Sequence, residues 1–176
     1  MHHHAHPDPE VASVIELCAA RLAQTTAHLG DQVRLAAAGQ APIAPPDQAP
    51  VAPRRLHAIV TRLCDEGEFE LALAPAMVLN TQAPHDPAFA MLAATCLQRT
   101  GRPAAALALF GMAGLHGGAA YAPAATFRSG ECLSALGKTR EAVLVFNAVI
   151  ETCRQNPDLA ELQRLAQAKA DALRAG

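Results

Sequence analysis

The chain has no tryptophan, one tyrosine and five phenylalanines among 176 residues, so its core cannot be built around stacked aromatic rings. It also lacks an excess of charge. Its 14 basic and 16 acidic residues leave a net charge of −2, which gives no footprint for nucleic acid or an anionic membrane surface. No apolar run approaches the roughly 20 residues that cross a bilayer, and the first residues lack the charged, apolar and small-residue sections of a secretory leader. A cytoplasmic protein with no membrane insertion of its own is therefore expected. The five cysteines, Cys18, Cys64, Cys96, Cys132 and Cys153, are odd in number and contain no Cys-x-x-Cys, which argues against a disulfide framework or a zinc ribbon. Small, reduced, packed residues are predicted instead. Gly-x-Ser-x-Gly, a phosphate-loop glycine cluster and His-Glu-x-x-His are all missing, so no enzyme, cofactor or metal chemistry is indicated. His57 and Cys64 could suggest a nucleophile pair, but seven residues of helix separate them by about 10.5 Å of rise, beyond hydrogen-bond reach.

Alanine and other small residues are abundant, and half of the chain is apolar, enough to bury a sizeable core. Close helix packing through small side chains follows, and the fold class is predicted to be all-α. The strongest internal signal is a triplicated Gly-x-x-x-x-Ala: Gly67 with Ala72, Gly101 with Ala106, and Gly137 with Ala142. The glycines stand 34 and then 36 residues apart, the period of a helix-turn-helix repeat. Leu63, Leu97 and Leu133 each lie four residues before a glycine, and Phe110 and Phe146 lie nine after the second and third. Val60, Ala94 and Gly130, seven before each glycine, face the alanines where the paired helices must approach.

These signals divide the chain. Residues 1–10, with His2, His3, His4 and His6, read as a His-rich tag or disordered tail. Residues 11–39 read as an amphipathic helix carrying Val11, Val14, Ile15, Cys18, Leu22, Leu29 and Val33. Residues 40–53, with five prolines, read as an extended linker that could let the helix swing away as a dimerisation arm or occupy a groove of the chain itself. Packing of the helix on its own repeats is the simpler alternative. Three repeats are expected over 54–156 and a last helix over 157–176. Asp86-Pro87 and Asn156-Pro157 supply an N-cap oxygen followed by a proline that needs no N–H there. On the last helix Leu159, Leu162, Leu165, Ala166 and Leu173 form an apolar stripe that covers the open end of the stack, and Arg164, Lys169 and Asp171 are expected to be wet. Two irregularities stand out: Pro75 inside the second helix of the first repeat, and Gly111–Pro123, which reads as a longer mobile turn.

The runs Leu97-x-x-x-Gly101-x-x-x-x-Ala106-x-x-x-Phe110 and Phe127-x-x-Gly130-Glu131-Cys132-Leu133-x-x-x-Gly137-x-x-x-x-Ala142-x-x-x-Phe146 resemble tetratricopeptide repeats. The whole layout, over roughly Leu56 to Leu173, resembles the class II chaperones of bacterial type III secretion systems. That resemblance implies three helix-turn-helix repeats in a right-handed superhelix, with no catalysis. It also implies that the protein holds secreted, hydrophobic translocator proteins by an extended, proline-containing segment in the concave groove before secretion. Dimerisation partly through the N-terminal helix is implied as well, here through Val14, Ile15, Cys18, Leu22 and Leu29.

Positions ten, six and three before each glycine share one helical face and select nine groove residues. They are His57, Thr61 and Cys64; Met91, Thr95 and Gln98; and Phe127, Glu131 and Ser134. The first set departs from the family, where these positions tend to be aromatic. Glu131 would either pair with a basic client residue or remain solvated, and Met91 and Phe127 would serve as contacts or as packing. A general repeat adaptor, or a holder of a needle subunit, is the alternative function.

Overall fold

The computed structural model describes residues 8–44, 52–154 and 156–175. The His-rich tail and the central linker residues 45–51 lie outside these, and with them the reading of a linker folded over a groove. The chain divides into two units, residues 1–82 and 83–176. Among the described residues there are helices and no strands.

The first unit contains α1 (Pro9–Ala37), α2 (Pro53–Asp65) and α3 (Phe69–Gln82). Helix α1 begins two residues earlier than the apolar stripe indicates, because the Glu10 N–H donates to Asp8 Oδ1 at 2.8 Å and Pro9 fills the first position. Along α3, α1 buries Val11, Val14 and Cys18. Its Glu10 pairs with Arg55 of α2. Farther along, Leu29 and Val33 are 58 % and 70 % exposed. Pro75 does not interrupt α3, contrary to the irregular repeat expected from it. Its ring is fully buried along with Ala72, Ala76 and Leu79, and that apolar burial offsets the missing helical donor to the Leu71 carbonyl.

The second unit contains α4 (Pro87–Arg99), α5 (Pro103–Ala135), α6 (Thr139–Cys153), a 3₁₀ turn (Pro157–Leu159) and α7 (Ala160–Ala175). Asp86 Oδ1 accepts from the Ala88 N–H at 2.9 Å, and Asn156 Oδ1 accepts from the Asp158 N–H at 3.1 Å. Both proline caps thus form as the sequence indicates.

Gly111–Pro123 is not a mobile turn. Helix continues through it and breaks only at Gly118, where φ is 52° and ψ is −147°. The chain folds back there, so α5 is two arms, 103–117 and 119–135. A Cβ on Gly114 would lie 3.6 Å from Ala125 Cβ, across the fold. Ala90, Ala113 and Ala125 form one small cluster shared by α4 and both arms. By length and composition α5 would suffice to cross a membrane, but each arm falls short of about 20 residues.

The triplicated signal is one backbone hinge used three times. At each hinge glycine φ is positive: 81° at Gly67, 77° at Gly101 and 72° at Gly137. The next residue donates its N–H back to the leucine carbonyl, Glu68 to Leu63 at 2.8 Å, Arg102 to Leu97 at 2.8 Å and Lys138 to Leu133 at 2.9 Å. These are Schellman closures of the preceding helix. The same residue's carbonyl accepts from the alanine N–H, Ala72, Ala106 and Ala142 in turn, starting the next helix. Helix pairs α2 with α3, α4 with the first arm of α5, and the second arm with α6 therefore share one connection. A fourth closure, Gln40 N–H to Leu35 O at 2.9 Å around Gly39, ends α1. Leu35-x-x-x-Gly39 has the same spacing and was legible in the sequence.

Ala72, Ala106 and Ala142 are fully buried, as are Phe110 and Phe146. In the second unit the main cluster joins Phe127, Phe146, Val149, Ile150 and Cys153 to Ala166 and Ala170 of α7.

Candidate peptide-binding face

The nine groove positions fall in both units. His57, Thr61 and Cys64 lie on α2, His57 exposed and the other two half-buried. The other six belong to the second unit, on α4 and the second arm of α5.

On α4, Met91 packs beside the Ala90, Ala113 and Ala125 cluster. The Thr95 hydroxyl donates to the Met91 carbonyl at 2.8 Å and so is held by its own helix. Gln98 reaches across to the second arm, its Nε2 donating to Glu131 Oε2 at 3.3 Å. Its Oε1 is buried with no hydrogen-bond partner. An acceptor left in that state costs about 1–3 kcal/mol.

On the second arm, Ser134 is half-buried and Phe127 is 7 % exposed. The Phe127 ring lies 5.5 Å from that of Phe146, centroid to centroid, tilted by 58°. Phe127 is a core residue with one edge on the surface. Glu131 is neither solvated nor waiting for a basic partner. Its carboxylate accepts from Arg128 at 2.9 Å and pairs with Lys169 of α7 at 3.3 Å, in addition to Gln98. Burial raises its pKa, but the hydrogen bonds and charges of Arg128 and Lys169 outweigh this and leave it lowered. Lys169, expected to be simply wet, is half-exposed and joined to this network because α7 lies beside the second arm.

Of the nine positions, only Phe127 and Glu131 line the concavity of about 340 Å³ found here, together with Ala124, Arg128, Leu162, Leu165 and Lys169. Its floor is apolar and its rim is charged. Leu162, Leu165 and Lys169 come from α7 and were not among the groove positions, since a register counted back from glycines cannot reach a helix without a hinge. The sequence signal for Leu162 and Leu165 was the α7 stripe, read only as a cover for the stack, whereas Lys169 was placed on the wet face.

The dimerisation set divides as well. Val14 and Cys18 are buried on the chain's own helices, so they cannot be a partner's contact without α1 leaving α3. Ile15 and Leu22 are half-buried, and Leu29 is exposed.

No protein-family model matches the chain, and no curated protein matches it in sequence. Solved structures do match it in fold. The Yersinia enterocolitica type III secretion translocator chaperone SycD superposes with a TM-score of 0.63 at 20 % identity, over 69 % of this chain and 83 % of that one. SycD in complex with a peptide of the translocator YopD matches at the same score and identity, over 69 % and 92 %. PcrH in complex with the chaperone binding region of PopD matches with a TM-score of 0.63 at 21 % identity, over 69 % and 90 %. The chain shares the all-helical fold of these chaperones.

Proposed function

We propose that the protein is a cytoplasmic type III secretion chaperone, without catalytic activity, that holds a hydrophobic translocator by an extended segment laid in the concave face of its second unit. The observation that carries this reading is the apolar concavity floored by Phe127, Leu162 and Leu165, on a fold whose solved examples hold translocator peptides. An extended segment has apolar side chains to bury and backbone N–H groups to satisfy. The floor of the concavity answers the first need. In the charged rim Glu131 is paired internally with both Arg128 and Lys169, so it is not open to a basic client residue, and the apolar floor leads recognition. In this reading a homodimer uses the outer part of α1, around Leu22 and Leu29, while Val14 and Cys18 hold α1 to its own protomer.

Co-expression with the cognate translocator tests the reading. A soluble complex is expected, weakened about tenfold or more by Met91→Glu at a half-buried position or Leu165→Glu at an exposed one, with circular dichroism checking that each variant stays folded. A translocator equally soluble alone, or silence of both substitutions, would overturn it. Dimerisation is read separately by sedimentation, with Leu29→Glu expected to shift the equilibrium to monomer.

A further inference from the structure

Two histidines outside the proposed groove come together in the second unit. His85 sits in the turn before α4 and His116 near the end of the first arm of α5, both exposed. Their rings meet edge to face with centroids 4.8 Å apart, and His85 Nδ1 lies 3.4 Å from His116 Nε2. That separation allows only a long, weak N–H···N hydrogen bond between the rings, since N–H donors prefer about 2.7–3.2 Å to their acceptors. It does match another arrangement. Two nitrogens each bound at about 2.0–2.1 Å to a tetrahedral zinc ion stand about 3.3–3.4 Å apart, whereas a square-planar or octahedral edge would bring them to about 2.9 Å.

Both side chains come from fixed backbone. His85 is flanked by Pro84 and by Asp86, whose Oδ1 is engaged by the Ala88 N–H as the cap of α4. His116 precedes Gly117 and the Gly118 break by one and two residues, on a regular helical arm. The exposure of both rings leaves room for the solvent ligands that a two-histidine site requires. Among the described residues no group of three His, Cys, Asp or Glu side chains forms a closed cage, so the remaining positions fall to water.

We propose that His85 and His116 form a solvent-completed zinc site that ties the turn before α4 to the end of the first arm of α5. Bound zinc would bridge residues 31 apart in sequence and stabilise the α4–α5 hairpin, one wall of the proposed groove. The site stands on its own geometry and does not depend on the chaperone reading.

The test is a titration of the full chain with zinc sulfate, followed by the imidazole nitrogen resonances of assigned histidines and by thermal unfolding. The His-rich N-terminal residues also take up zinc, so assignment of each ring is essential. The expected result is a joint shift of the His85 Nδ1 and His116 Nε2 signals with a zinc-dependent rise in Tm. Either His85→Ala or His116→Ala should weaken the response of the remaining ring at least tenfold and remove the rise. Both positions are exposed, and circular dichroism checks that the variants remain folded. Unmoved His85 and His116 signals at millimolar zinc would overturn the proposal. So would a His85 response that persists unchanged in His116→Ala, or a Tm rise identical in parent and variants.

Discussion

The Phe146 ring occupies the space where Gly130 would carry a side chain: a Cβ built on Gly130 would lie 2.7 Å from Cε1 and 2.9 Å from Cζ. Gly130 is one of the positions seven before a hinge glycine, and its neighbour is the phenylalanine nine after that glycine. The close approach of the second arm and α6 therefore depends on the missing methyl group.

Gly130→Ala should destabilise the protein by about 1–3 kcal/mol in chemical denaturation, because the Phe146 ring is fully buried and cannot withdraw without disturbing Phe127. The gain in helix propensity, up to about 1 kcal/mol, works against this cost. Gly111→Ala is the control. It is exposed and helical with nothing within 4 Å of its added Cβ, so it should stabilise by about 0.4–1 kcal/mol. Equal effects of the two would refute the packing account.

At Gly101 the cost is conformational. The space beside it is open, but φ is 77°. Gly101→Ala should cost about 1–2 kcal/mol from the left-handed backbone alone, and Gly101→Asn should cost less because asparagine tolerates that region. Thermal melts of the two variants check the order.

Glu131 should make stability acid-sensitive. Its pKa is lowered in the folded protein, so its contribution is full above the unfolded value of about 4.3 and is lost as pH falls through the depressed folded value. The stability gap between the parent and Glu131→Gln should be largest near pH 7 and close as the pH drops below the usual carboxylate range. A gap independent of pH would mean that the variant acts by packing alone.

The thiols should differ in reactivity. Cys18, Cys96, Cys132 and Cys153 are buried, and Cys64 is half-buried. Burial, with the neighbouring Glu131 charge, pushes the Cys132 thiol up to about 11. Iodoacetamide at neutral pH should label Cys64 first in the native protein, and all five only after unfolding, as mass spectrometry of tryptic peptides would show.

The hinges were legible because three local demands converge on a few residues. A positive φ calls for glycine, a closing leucine carbonyl sits four residues earlier, and an alanine sits where the next helix begins. The break at Gly118 was not. Four glycines close together in sequence, Gly111, Gly114, Gly117 and Gly118, lower helix propensity and imitate a loop, yet Gly114 serves close approach to Ala125 and Gly118 alone turns the chain. Nothing local distinguishes a glycine used for packing from one used for turning. The groove register was readable as a helical face, so Gln98 and Glu131 were placed among the facing residues that the structure joins. Their partners were not readable. Lys169 and Leu165 reach the concavity only through the packing of α7, a long-range contact that leaves no periodic trace. The burial of Val14 and Cys18 on α3 has the same origin, because an amphipathic stripe declares that it is covered and not by what.

Every hydrogen bond of a hinge joins residues no more than five apart in sequence. Contacts of that kind close quickly, without a search through the rest of the chain. As the polypeptide leaves the ribosome, the α2–α3 and α4–α5 hinges can set before the C-terminal residues are synthesised. The cluster around α6 must wait for Ala166 and Ala170, which makes the α6–α7 pair the latest part of the second unit to be secured.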